Sequence, residues 1–239
     1  MSQSWEDLIL LHWPISWEEL APTIPSDLEL DLFEGDAWAS VVGFRLTNLR
    51  ISPLRAIPWN DFLEVNLRTY VKDRQGRRGV WFHSLDSSDL LSVLGARLLY
   101  GLSYFHSRIK MEKVNGILSF CSCRNRFWGG RRATIEAETS AQDSRSARAD
   151  SDLDRFLLER YRFWVRRKLG GFSSSAIVEH RPYDACLVEN AGYAGSLFKA
   201  NGMNEPLFGP VVAHYCKGFQ VNASGPQWAF QMAGQRNHR

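Results

Sequence analysis

The stretch Glu64-Val-Asn-Leu-Arg-Thr-Tyr70 puts four chemically capable side chains at alternate positions. In an extended strand residues two apart share a face, so Glu64, Asn66, Arg68 and Tyr70 fall on one side and Val65, Leu67, Thr69 and Val71 on the other. A carboxylate, an amide, a guanidinium and a phenol held together can bind a small polar ligand and shift one another's proton affinities. The plainer reading is a solvated face of an antiparallel sheet. Such faces more often carry Thr, Ser, Lys and Glu, however, and this composition favours a lined cavity. The habit recurs at His106, Arg108, Lys110 and Glu112, opposite Ser107, Ile109, Met111 and Lys113. In such a cavity Arg68 or Arg108 would clamp an anionic group. Glu64 would serve as acid or base if burial raises its pKa, and Tyr70 or Tyr104 would donate a hydrogen bond.

Other groups carry weaker signals. His83, Ser84 and Asp86 supply the residue types of a nucleophilic triad, but neighbours on a strand point to opposite faces, so Ser84 and His83 do not pair; Asp86 reads as a helix cap. His12, His180 and His214 have no role that spacing assigns. Cys121, Cys123, Cys186 and Cys216 lack the rhythm of a zinc site, so no metal is expected and reduced thiols are. Asn222-Ala-Ser224 fits the glycosylation pattern by chance. No glycine-rich phosphate loop is present, and no cofactor is expected. Arg124, Arg126, Arg131 and Arg132 with Phe127 and Trp128 could grip a nucleic acid, but a solvated hairpin is the commoner cause, and nucleic acid is not an expected partner.

These groups need a scaffold. Ser16 and Glu19 form a capping-box pattern ahead of a short helix that Pro22 and Pro25 end, with Ile15 and Leu20 as its staple. Strand-like runs follow at Leu28–Leu32 and Ala37–Leu46, joined by a hairpin turn at Glu34-Gly35-Asp36, with a loop at Pro53–Pro58. The run Phe62–Lys72 alternates cleanly, turns at Asp73–Gly76 and returns as Val80–Asp86. Leu90, Leu91, Leu94, Arg97 and Leu98 then recur at helical spacing behind a Ser87 or Ser88 cap, ending near Gly101. Strands resume at Phe105–Lys113, Gly116–Phe127 and Arg132–Glu138. Ser140–Asp150 reads as a surface loop. Ser151 and Asp154 cap a second helix running through Phe156, Arg160, Phe163 and Trp164 to Gly170-Gly171, with Arg160 at an apolar position facing a carboxylate. Ala176–His180, Ala185–Glu189 and Val211–Val221 complete the strands, with a tail from about residue 226. Without βαβ alternation, linker or repeat, residues 1–239 read as one α+β domain dominated by antiparallel sheet.

His12-Trp-Pro14, Pro25-x-x-Leu-Glu-Leu-Asp31, Glu64-x-Asn-x-Arg-Thr-Tyr70, Val80-Trp-Phe-x-Ser-Leu-Asp86, His106-Ser-Arg108, Phe156-Leu-Leu-Glu-Arg-Tyr161 and Ala213-His-Tyr215 span nearly the whole chain and resemble the YqjF-like family of uncharacterised bacterial proteins. That family is grouped by fold with acetoacetate decarboxylase, so the resemblance implies a curved, barrel-like sheet whose interior the Glu64 face lines. Acetoacetate decarboxylase forms a Schiff base through a Gly-Phe-Pro-Lys-Lys motif, in which a second lysine depresses the first one's pKa. The matching stretch here is Gly101-Leu-Ser-Tyr-Phe105, with Tyr104 and Phe105 in place of the lysines, and Lys110 six residues beyond. Schiff-base decarboxylation is therefore not expected.

The chain has 239 residues, 29 Lys+Arg against 26 Asp+Glu and a net charge of +3, enough apolar content for a full core and too little charge for a dedicated nucleic-acid binder. Only six of its cations are lysines. There is no transmembrane run, and Glu6 and Asp7 stand where a signal peptide would carry lysines, so a cytoplasmic protein without membrane contact is expected. The expected function is binding of a small carbonyl- or carboxylate-containing compound in a polar cavity, by a lyase or hydrolase that uses no Schiff-base lysine, with Glu64 and Tyr104 catalytic and Asn66, Arg68, Tyr70, His106, Arg108 and Lys110 binding the ligand. A binding protein without turnover is the alternative, and a homo-oligomer is left open.

Overall fold

The computed structural model describes residues 1–51, 59–99, 102–124, 131–140, 147–166 and 173–224. In chain order the strands are β1 (Ser2–Ile15), β2 (Leu28–Leu30), β3 (Ala37–Arg50), β4 (Phe62–Asp73), β5 (Arg78–Ser87), β6 (Tyr104–Val114), β7 (Ile117–Arg124), β8 (Thr134–Ser140), β9 (Arg162–Arg166), β10 (Ser173–His180), β11 (Ala185–Leu187), β12 (Gly192–Gly195) and β13 (Val212–Ala223). The helices are short: α1 (Trp17–Leu20), α2 (Leu90–Leu99), α3 (Asp152–Leu158) and α4 (Leu197–Ala200). No described helix is long and apolar enough to cross a membrane.

All strands join one sheet, in the order β12-β8-β7-β6-β5-β9-β10-β13-β1-β3-β4-β2, with β11 on β13. β5 also pairs with β4, so β1, β3, β4, β5, β9, β10 and β13 form a closed ring of pairings. The pairings are antiparallel except β5–β6 and β5–β9. Past Trp81 the β5 strand exchanges β9 for β6 as neighbour, and β6, β7, β8 and β12 continue as a flap over the outside of the ring.

That flap explains the sequence pattern. The outer face of β1, β3 and β4 (Ile9, Leu11, Val41, Val65 and Leu67) packs against Ile109, Phe120 and Ile135 of the flap. Phe120 lies where a Cβ on Gly43 would stand 3.1 Å from its ring, so the glycine lets the two layers approach. The inner face of the same strands (Leu8, Leu10, Val42, Phe44 and Phe62) packs around Leu158 of α3 and Phe219 of β13. β1 escaped the sequence reading because Leu8-Ile9-Leu10-Leu11 is apolar on both faces and shows no period of two.

Three local expectations are corrected. Glu34 and Gly35 do form a tight turn, with φ of 51° and 97° and a Phe33–Asp36 bridge. It makes no hairpin, however, because β2 pairs with β4 rather than β3. The second helix stops at Leu158, not at Gly170. Arg160 Nε caps the Phe156 carbonyl at 2.7 Å and its Nη1 meets Asp31 at 2.6 Å, a buried pair that fixes the exit from α3. Phe163 and Trp164 then sit in β9, paired with β5 and β10, where tertiary packing overrides helical spacing. Third, Asp89 rather than Ser87 or Ser88 caps α2, accepting from Ser92 N at 2.7 Å. The other boundaries fall within a few residues of expectation, apart from the 310 turn Ala21–Thr23, α4 and β12, which no spacing signalled. The Pro53–Pro58 loop, Gly101, most of the Ser140–Asp150 loop and the tail lie outside the described residues.

Candidate functional site

The Glu64 face of β4 is not solvated: Glu64, Asn66, Arg68 and Tyr70 are 4%, 4%, 6% and 0% exposed. They point into the ring because β3 and β5 flank β4 and the flap covers its other face. Glu64 forms part of a pocket of about 140 Å³ whose other walls include Phe44, Trp59, Phe82, Leu85 and Phe163. The expected polar cavity is therefore largely apolar, with Glu64 among its few polar groups. Tyr104 also lines it and donates to Glu64 Oε2 at 2.7 Å.

Local pairings aim Tyr104. It opens β6 opposite Leu85 in the parallel β5–β6 pair, and its carbonyl accepts Arg97 Nε of α2 at 2.5 Å. Trp59 Nε1 lies 3.1 Å from Asp89 and 3.0 Å from Ser92, which ties the approach to β4 to the first turn of α2 beside the pocket. Burial pushes the Glu64 carboxyl up to about 7; hydrogen bonds from Tyr104 and Asn66 oppose the shift, and the Asp86 charge adds to it. The group is thus divided between acid and carboxylate near neutral pH.

Deeper in the ring, Arg68 is a buried guanidinium with no carboxylate at ion-pair distance among the described residues. Nη2 reaches the Leu157 carbonyl at 3.4 Å, and Nε has no hydrogen-bond partner. Asn66 Oδ1 is likewise unpartnered. Burial raises the Tyr183 phenol to about 12 against the pull of Arg68. Tyr70 donates to the Leu157 carbonyl at 3.0 Å and stands 2.6 Å from Ser40 Oγ.

The second alternating face divides. His106 is partly buried with Nδ1 unpartnered, but Arg108 and Lys110 are exposed and do not line the pocket. β6 leaves the ring after His106 and continues into the flap, where its odd-numbered face (Ser107 and Ile109) packs inward and its even-numbered face meets solvent. No lysine lines the pocket among the described residues.

Asp86 is not a cap. It takes Arg124 Nε and Nη2 at 2.7 Å each, and Ser107 Oγ at 2.6 Å, with the Arg124 guanidinium 4.0 Å above the Phe105 ring. Arg124 is therefore buried structure rather than part of a basic surface, while Arg126, Phe127 and Trp128 lie outside the described residues. Ser84 instead accepts Asn201 Nδ2 at 3.1 Å, and burial lowers His83 to about 4. His180 stacks on Phe219 at 4.8 Å, whereas His12 and His214 are wholly buried and bonded to each other. The four cysteines form no disulfide, and no three metal-ligating side chains cluster among the described residues.

A family model described as an uncharacterized conserved protein, DUF2071, matches residues 2–220. The uncharacterized protein YqjF of Bacillus subtilis (strain 168) is 35% identical over 226 residues, covering 91% of this chain and 87% of that protein. Among solved structures, an acetoacetate decarboxylase-like enzyme from Sphingomonas wittichii RW1 superposes with a TM-score of 0.62 at 13% identity, over 94% of this chain and 92% of that one. The enduracididine biosynthesis enzyme MppR complexed with pyruvate superposes with a TM-score of 0.62 at 12% identity, over 95% and 89%. At such identities these two likenesses establish a shared fold, acetoacetate decarboxylase-like.

Proposed function

The chain belongs to the DUF2071 family, and on that premise we propose that it takes a small carbonyl- or carboxylate-bearing compound into the Glu64–Tyr104 pocket and moves a proton on it. The observation that carries this reading is a single titratable carboxyl, lifted to about 7 by burial and held by a phenol at 2.7 Å, in an otherwise largely apolar pocket. Glu64 is the acid or base and Tyr104 the donor that steadies an oxygen on which charge develops. Arg68, buried one strand repeat beyond Asn66 and without a counter-ion among the described residues, supplies the charge that would draw an organic anion inward. The pyruvate carried by MppR suggests 2-keto acids as the first compounds to try.

Acid–base chemistry of this kind, lyase or hydrolase in outcome, needs no lysine and fits a pocket whose described lining has none. The same lack of a lysine among the described lining residues favours a second reading, binding without turnover.

One experiment separates them. Keto acids, esters and lactones are assayed for turnover and for a rise in melting temperature, with wild type, Glu64→Gln and Arg68→Ala. Turnover lost in Glu64→Gln with the thermal shift retained supports acid–base catalysis. A shift without turnover, abolished by Arg68→Ala, supports the binding reading. No shift and no turnover with any compound rejects both.

A further inference from the structure

Away from the Glu64 pocket, five side chains from five separate segments make an unbroken hydrogen-bonded line. Tyr70 Oη of β4 stands 2.6 Å from Ser40 Oγ of β3, and Ser40 Oγ stands 2.7 Å from His12 Nδ1 of β1. His12 Nε2 is 3.0 Å from His214 Nδ1 of β13, and His214 Nε2 is 2.8 Å from Asp154 Oδ1 of α3. The first four are 0% exposed and Asp154 is 4% exposed. Beyond it, Asp154 Oδ2 accepts Ser151 Oγ at 2.7 Å, and Ser151 is exposed at the α3 N-cap.

The direction of the line follows from its acidic end. An ionised carboxylate only accepts, so His214 donates from Nε2 and offers the lone pair on Nδ1. His12 must then donate from Nε2 and accept at Nδ1 from the Ser40 hydroxyl, which leaves the Ser40 oxygen to accept; Ser40 Oγ at 2.6 Å and the Leu157 carbonyl at 3.0 Å share the one Tyr70 proton. From Ser40 onward every donor points toward Asp154. Every link is a hydroxyl, an imidazole or a carboxyl, each able to give one proton while taking another, and no amide, guanidinium or ammonium interrupts the sequence. At the inner end the Tyr70 ring faces two guanidiniums, Arg160 at 5.1 Å and Arg68 at 6.0 Å, of which Arg160 is paired with Asp31.

We propose that Tyr70, Ser40, His12, His214 and Asp154 form a proton relay that exchanges protons between the interior of the strand ring and water at the Ser151 end of α3. In one passage the Tyr70 O–H proton moves to Ser40 Oγ as the Ser40 proton moves to His12 Nδ1. The His12 Nε2 proton moves to His214 Nδ1, and the His214 Nε2 proton to Asp154 Oδ1. The result is a phenolate at Tyr70 beside Arg68 and Arg160, a neutral Asp154 and both imidazoles switched to the Nδ1–H tautomer. Asp154 then releases its proton to water, and the reverse passage restores the line. The relay shares no residue with the Glu64 pocket and stands whether or not that pocket is catalytic.

The test is nitrogen NMR on histidine-labelled protein, reading tautomers and the exchange of ring N–H with water. Wild type is expected to show both rings as Nε2–H tautomers. The His12 proton should exchange about a hundred-fold faster than the opening equilibrium at the Leu10 and Leu11 amides permits. Asp154→Asn keeps a side chain that can accept from His214 but cannot take up a proton, so His12 exchange should fall to the opening-limited rate with the amides unchanged. Ser40→Ala removes the hydroxyl that reprotonates His12 Nδ1, so exchange of the His12 proton and of the Tyr70 hydroxyl proton should both slow, His12 to the opening-limited rate. Opening-limited His12 exchange in wild type, an Nδ1–H tautomer on His214, or fast His12 exchange surviving Asp154→Asn or Ser40→Ala overturns the relay. Ser40→Ala and the wild-type tautomers keep the question decidable should Asp154→Asn fail to fold.

Discussion

Tyr104 donates a 2.7 Å hydrogen bond to Glu64 across the point where β5 exchanges β9 for β6, joining the ring to the flap at the one carboxyl among the described residues of the pocket. The bond lowers the Glu64 pKa while burial raises it, and burial prevails. Tyr104→Phe should therefore move Glu64 titration above about 7, read from the carboxyl carbon shift of labelled protein. A fall would mean that the Tyr104 bond does not favour the carboxylate form.

Glu64 also sets a slope in stability. Its folded pKa of about 7 exceeds the reference value of 4.5, so the folded protein binds the extra proton between those values, and stability declines as pH rises from 4.5 to 7. Glu64→Gln should remove that decline, raising stability at pH 8 by up to about 3 kcal/mol and leaving it little changed near pH 4.5. Urea midpoints across pH check this, and equal effects at both ends contradict it.

His83 produces the opposite slope. Burial depresses it to about 4 from 6.5, so the unfolded chain takes up the proton first and stability is lost as pH falls from 6.5 toward 4. His83→Gln should flatten that acid limb while leaving the alkaline side untouched. Denaturation series at pH 5 and pH 8 distinguish the two variants, because each corrects a different side of the profile.

The Asp86–Arg124 pair has both side chains nearly inaccessible, at 2% and 1%. Arg124→Ala should cost about 3–5 kcal/mol, since it strands a buried carboxylate. The Asp86→Ala, Arg124→Ala double variant should lose less than the two single losses summed. Additive losses in a double-mutant cycle would show that the pair is not coupled.

Arg108→Ala and Lys110→Ala, both at exposed positions, should change stability by no more than about 0.5 kcal/mol and leave any ligand-induced thermal shift intact. A lost shift in either variant would place the ligand on the flap surface instead of in the ring.

The sequence by itself determined the α+β class, most strand positions and the chemistry of one strand face, because these follow from local rules: a period of two along β4, turn residues at Asp73–Gly76, and the Ser151–Asp154 cap, whose reciprocal bonds are formed. Resemblance singled out Tyr104 at a lysine position but could not say what it touches. Only the tertiary structure decided that the polar face of β4 turns inward, because an alternating strand looks the same whether water or a second layer covers it. The same ambiguity made Arg108 look like Arg68, although β6 leaves the ring between Tyr104 and Arg108. Helical spacing at Phe163 and Trp164 likewise yielded to pairing with β5 and β10. The line from Tyr70 to Asp154 left no trace in the sequence: its members lie up to 202 residues apart. No spacing rule links side chains that meet only when β1, β3, β4, β13 and α3 close around one interior.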